Sequence, residues 1–74
     1  MGTVKTTFLE FLNTIPMNVS ERHNAKKLIK FGNSRYVRTV YHAHARQVVA
    51  KLAEYGYTVT EEQVFECART NEWI

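Results

Sequence analysis

The sequence predicts an all-α domain, a small bundle of about four helices with a helix-turn-helix-like pair in the middle. Three observations carry that expectation. Apolar residues recur at helical spacing in four segments, Pro16, Gly32 and Gly56 fall between those segments, and no repeat or low-complexity stretch interrupts them. A chain of 74 residues holds one domain, 1–74, and its 45% apolar share is enough for a core. So short a chain buries a modest part of its surface, which makes pairing into a homodimer favourable.

The first helix is expected over residues 3–13, where Val4, Phe8, Phe11 and Leu12 recur at helical spacing and Ile15 follows. Thr7 with Glu10 offers a capping-box pattern for a later start, and Pro16 ends the helix by Ile15. Asn18 or Ser20 can cap the second helix, with Glu21 in its first turn where the helix dipole favours an acid. Ala25, Leu28 and Ile29 form its apolar face, while His23, Lys26, Lys27 and Lys30 fall on the other. Gly32 stops it, and Asn33-Ser34 reads as turn plus N-cap of the next.

The third helix, Ser34 to about Tyr55, is expected to be the longest. Val37, Val40, Tyr41, His44, Val48, Leu52 and Tyr55 gather on one side. Arg35, Arg38, Thr39, His42 and Arg46 gather on the other, a stripe of roughly 16 Å at a helical rise. A strand over 36–41 is the competing assignment, but alternation there leaves no apolar face. Gly56 ends the helix, Tyr57 to Val59 link onward, and Thr60 with Gln63 opens a fourth helix. Val64, Phe65, Cys67 and Ala68 are its apolar side, and Glu61, Glu62 and Glu66 point outward. Trp73 and Ile74 are expected to fold back onto the domain or to meet a partner.

Net charge is +3, and its distribution is uneven. No acid occurs between Arg22 and Ala53, whereas Glu61, Glu62, Glu66 and Glu72 crowd the C-terminal end against Arg69 alone. Such segregation favours an anionic partner for the middle of the chain. The single cysteine, Cys67, cannot close an internal disulfide, which points to a reducing compartment, the cytoplasm. No apolar run reaches the length of a membrane span, and the N-terminus lacks the pattern of an export signal, so no membrane role is expected.

Catalytic chemistry finds no support. On a helix His42 and His44 point about 200° apart and cannot share an ion, no other His pair has ligand spacing, and no Asp is present, so neither a metal nor a cofactor is expected. His44 reads as a hydrogen-bonded interior histidine and Cys67 as a small buried hydrophobe without a basic activator. Glu61 and Glu62 suit a helix N-terminus better than a carboxylate dyad. The protein is therefore expected not to be an enzyme.

Residues 25–41, AKKLIKFGNSRYVRTVY, have the outline of a helix-turn-helix: a lysine-bearing helix, a glycine turn and a second helix opening with polar and basic residues. With Gly32 at the turn glycine, Leu28 occupies the position of a small residue and Arg38 a buried one, while Val37 stands one place early. No residue roles carry over on that basis. The charge pattern itself predicts a regulatory, nucleic-acid-binding module, with DNA as the first expectation. Lys26, Lys27, Lys30, Asn33, Ser34, Arg35, Arg38, His42 and Arg46 are its candidate contacts. The alternative is an adaptor or inhibitor that docks on an acidic protein, such as one that itself binds DNA, through anchors such as Trp73, Ile74, Tyr36 or Tyr57.

Overall fold

The computed structural model describes residues 6–73. Those residues form helices and no strand: α1 (Phe8–Asn13), α2 (Val19–Lys30), α3 (Val37–Val40), α4 (His42–Glu54) and α5 (Glu61–Thr70). Helices α2, α4 and α5 pack on one another, α1 lies on α2, and α3 lies on α4. The buried set runs through all five: Phe8, Phe11, Leu12 and Ile15 from the N-terminal side, Ala25 and Leu28 from α2, Val37 from α3, Ala45, Val48 and Leu52 from α4, and Val64, Phe65, Cys67 and Ala68 from α5. Leu28, Leu52 and Phe8 are fully enclosed. Truncating any one of them to alanine is the kind of change that costs roughly 2–5 kcal/mol.

Local chemistry fixes most helix ends. Thr7 caps α1 by accepting from the Glu10 amide, so the described helix begins at Phe8; the expected residues Thr3, Val4 and Lys5 lie outside the described residues. Asn18 and Glu21 form a reciprocal capping box on α2, and Thr60 and Gln63 another on α5. Helix α4 ends in a Schellman motif: the Tyr57 amide donates to the Leu52 carbonyl and the Gly56 amide to that of Ala53, with Gly56 at φ +89°.

The two ends of the chain close on each other. Asn71 takes the left-handed conformation, φ 54°, and its backbone carbonyl accepts from the Phe8 amide while its Oδ1 accepts from that of Leu9. With Thr7, it satisfies three first-turn amides of α1 that a helix leaves without partners. Trp73 follows, its ring stacked 3.7 Å from Phe11 and edge-on to Tyr57, and its amide donating to the Thr6 carbonyl. At the other end of α1, the Arg22 guanidinium donates to the carbonyls of Leu12 and Ile15 and to Asn13 Oδ1. It serves as a C-terminal cap supplied by a neighbouring helix.

Helices α2 and α4 run antiparallel along their whole contact. Glu21 pairs with Lys51 at 3.1 Å, Asn24 with Gln47 at 3.1 Å, and Phe31 stacks on Tyr41, so one helix advances as its partner retreats. The turn between them is tight against α5. A Cβ on the buried Gly32 would stand 2.6 Å from the Ala68 carbonyl oxygen and 2.9 Å from the Arg69 amide nitrogen. Glycine is required there by space.

The long third helix expected from Ser34 to Tyr55 is divided. The chain leaves helical geometry at Tyr41 (φ −109°, ψ 21°), and α3 is a short helix set before α4. Neither glycine nor proline, the common causes of a break, lies in 33–44. What holds the bend is tertiary: Tyr41 stacks on Phe31, Val37 enters the core, and Arg38 reaches α5. Val40, placed on the apolar side by periodicity, is 65% exposed as a result. Ser34 is not an N-cap. Its Oγ accepts from the Tyr36 amide in a local turn, and α3 has no side-chain cap.

Candidate nucleic-acid interface

The nine candidate residues do not make one surface. They separate into a stripe on α2, a turn, and a row along α3 and α4. On α2, His23, Lys26, Lys27 and Lys30 stand three and four apart, the spacing of neighbours on one side of a helix. Lys26 and Lys30 are exposed and Lys27 is half-buried. These four residues, with Phe31 and Tyr41, line an open groove of about 330 Å³. Lys27 and Lys30 lie in the last turn of α2, where the helix dipole also favours cations.

The groove has an aromatic wall. The Phe31 and Tyr41 rings stack nearly parallel, 5.5 Å between centroids, and His44 leans against Tyr41 at 5.4 Å. The Lys30 Nζ is 5.4 Å from the Phe31 ring centroid. Phe31 stays 37% exposed. His44 is half-buried and its side chain makes no hydrogen bond among the described residues, contrary to the expected hydrogen-bonded interior histidine. Its environment is this ring stack.

The turn residues Asn33, Ser34, Arg35 and Tyr36 are exposed, and the Arg35 guanidinium lies 6.0 Å from the Tyr36 ring centroid. Along α3 and α4 the situation differs. Arg38 donates to both carboxylate oxygens of Glu62, its Nε at 3.1 Å from Oε2, and reaches Glu66 at 3.6 Å. Those carboxylates, Glu62 foremost, raise its pKa above the usual value, and its guanidinium also lies 5.4 Å from the Phe65 ring centroid. His42 Nε2 stands 3.9 Å from Glu61. Arg46, one turn further along the same row, has no acidic partner among the described residues. The expected stripe of Arg35, Arg38, His42 and Arg46 is thus broken up, because the bend at Tyr41 separates its members and α5 sets glutamates against its middle.

Three further cations among the described residues are engaged internally. Lys51 lies between Glu21 and Glu54 at 3.1 and 3.0 Å, and both carboxylates raise its pKa, Glu54 the more. Arg69 pairs with Glu66, and Arg22 caps α1. Among the described residues, Lys26, Lys27, Lys30, Arg35 and Arg46 have no carboxylate within ion-pair distance. Three of these five stand on the same half of α2.

Of the candidate partner anchors, Trp73 is held in the Phe8–Phe11–Tyr57 cluster, Tyr36 is 63% exposed, and Ile74 lies outside the described residues. Tyr57 joins the same cluster while remaining 40% exposed. Sequence reasoning did not single out Phe31 or Tyr41 for the interface. The available signal was Phe31 itself, an aromatic residue four past Lys27 at the end of a lysine-bearing helix. Among the described residues no three His, Cys, Asp or Glu side chains cluster to hold a metal, and no helix is long and apolar enough to cross a membrane. No protein-family model matches the sequence, and no curated protein or solved structure matches it either.

Proposed function

We propose that this protein is a non-enzymatic nucleic-acid-binding module of regulatory role that engages phosphates through the α2 stripe. The observation that carries the reading is the sorting of its cations. Arg38, Lys51 and Arg69 have carboxylate partners, whereas Lys26, Lys27 and Lys30 stand unneutralised around one groove. Adjacent unpaired lysines attract a polyanion and release its counterions, a term that supplies most non-specific affinity. Arg35 in the following turn and Arg46 on α4 extend the positive field. Arg38 is assigned to the fold, not to the ligand.

The test is titration of the protein with labelled duplex DNA across a salt series. Affinity should fall as salt rises, by about 0.9 logarithmic units per logarithmic unit of salt for each phosphate engaged. Replacing Lys26, Lys27 and Lys30 together by alanine should remove most binding and flatten that slope. Absence of binding at low salt to duplex and to single-stranded DNA alike, or affinity indifferent to the triple substitution, rules the proposal out.

A second reading, docking on an acidic protein, draws on a different place. Tyr36 and Val40 are 63% and 65% exposed, one helical turn apart and beside Arg35. Aromatic and arginine side chains dominate binding energy at protein interfaces. A partner that copurifies after nuclease treatment and is lost on Tyr36→Ala would favour this reading over the first.

A further inference from the structure

The protein carries two aromatic clusters with different surroundings. In the first, Phe8 and Phe11 are buried, Trp73 stacks on both, and Tyr57 closes the edge. That cluster is core. In the second, the Phe31–Tyr41 stack opens onto a groove whose other lining residues are His23, Lys26, Lys27 and Lys30. Tyr41 fills one face of Phe31, and on the ring Lys30 contributes an ammonium group at 5.4 Å from the centroid. An exposed ammonium over a phenyl ring is a weak contact that a better-fitting group displaces.

An aromatic face beside unneutralised lysines calls for a ligand with both a flat ring and a negative charge. Within an intact duplex the base faces are stacked on one another, and only their edges reach a groove. An exposed phenyl ring gains little from such a ligand. In a single strand the faces are available, and stacking on an aromatic side chain combines with backbone attraction in a manner tolerant of sequence. The groove volume of about 330 Å³ falls at the low end of the range of small-ligand sites. A neighbouring groove of about 250 Å³, lined by Met17, Val19, Arg22, His23 and Lys26, shares His23 and Lys26 with the first and continues the track along α2.

We infer that the α2 groove takes single-stranded nucleic acid, an unpaired base stacking on Phe31 in place of the Lys30 ammonium while Lys26, Lys27 and Lys30 hold the flanking phosphates. This rests on the nucleic-acid reading above and narrows it to one class of strand.

Fluorescence anisotropy with the full chain tests it on three probes at low salt. The first is a labelled oligothymidylate of about 12 nucleotides, within the range covered by small single-strand modules. The others are an abasic strand of the same length and charge, and a duplex of that length. The oligothymidylate should bind about tenfold tighter than the abasic strand, the order expected of one stacked base. Phe31→Leu, which keeps apolar volume, should erase that preference and leave abasic and duplex affinity in place, with its thermal melt confirming the fold. Equal affinity for oligothymidylate and abasic strand overturns the inference while the phosphate-binding reading stands. Equal weakening of all three probes by Phe31→Leu in a folded protein overturns it as well, and failure of every probe to bind removes both.

Discussion

The α2 stripe and the α3–α4 row look alike on a helical wheel, yet they end in different states. Lys26, Lys27 and Lys30 have no carboxylate partner among the described residues, while Arg38 is held by Glu62 and Glu66, and His42 approaches Glu61. Composition does not separate the two rows; their neighbours do. The capping box at Thr60 and the Schellman motif at Gly56 start α5 where its first-turn glutamates, placed there by the helix dipole, meet α3 and α4. The acids on that side of α5 therefore neutralise Arg38 in the row beside it, while Arg46 has no acidic partner among the described residues. The α2 stripe lies beside the Phe31–Tyr41 groove and remains open. An outward charge on a helix becomes a surface charge only when no adjacent helix answers it.

The largest effect on this comparison should come from the turn that places α2 against α5. At Gly32 an added Cβ would meet the backbone of Ala68 and Arg69, atoms that cannot swing aside as a side chain could. Overpacking of this sort costs about 1–3 kcal/mol or more. In so small a domain each kcal/mol lowers the melting temperature by roughly 4–8 °C. Gly32→Ala should thus lower the circular-dichroism melting temperature by about 10 °C or leave the chain unfolded. Gly56→Ala should cost less, because that position has a positive φ but open space around it. A Gly32→Ala protein as stable as the wild type would disprove the close approach of α2 and α5.

Much of the architecture is legible in the sequence because it is written locally. Asn18 with Glu21, Thr60 with Gln63, and Gly56 mark helix ends through chemistry within a few residues of each other, and the structure uses each of them; Gly32, expected as a helix stop, is instead required by the close approach of Ala68 and Arg69. The apolar spacing of Phe8, Phe11 and Leu12, and of Val64, Cys67 and Ala68, selects side chains that are buried. The break at Tyr41 has no such local mark, since it is imposed by Phe31 on α2 and by the glutamates of α5. Its consequences were equally hidden: Val40 turned outward, Arg38 paired with Glu62, and Tyr41 stacked on Phe31. Arg22 shows the same limit, since nothing in its own helix reveals that it caps another.

A middle-sized effect should follow from converting the neutralised row into an open one. Glu62→Gln with Glu66→Gln removes two negative charges and leaves as exposed cations both Arg38, near the basic turn, and Arg69. Binding of nucleic acid at low salt should tighten several-fold, and the salt dependence should steepen by up to about one phosphate contact. The thermal melt should change little, because exposed ion pairs contribute little to stability. Unchanged affinity would mean that the position of Arg38, and not its pairing, keeps it from the ligand.

The smallest effect separates the rows by pH. Glu21, 17% exposed, sits below the usual carboxylate value of 4.5, first because its carboxylate accepts from the Asn18 amide and then because Lys51 bonds to it. Glu66 is lowered too, chiefly by Arg69 and secondarily by Arg38. A carboxylate whose pKa is depressed on folding stabilises the native state fully above its unfolded value, and that contribution is lost as pH falls through the folded value. Both groups therefore predict an acid limb that begins below pH 4.5. Lys51, raised above 10.5, contributes below that pH and loses its contribution as pH rises through the folded value. Glu21→Gln keeps an oxygen for the Asn18 amide but removes the charge facing Lys51, so thermal melts between about pH 3 and 6 should show a shallower acid limb. The α2 lysines have no carboxylate within ion-pair distance among the described residues, and the substitution should leave nucleic-acid affinity near neutral pH where it was or slightly raise it. A loss of affinity instead would place the Glu21–Lys51 bridge in the binding surface and undo the division between paired and open cations.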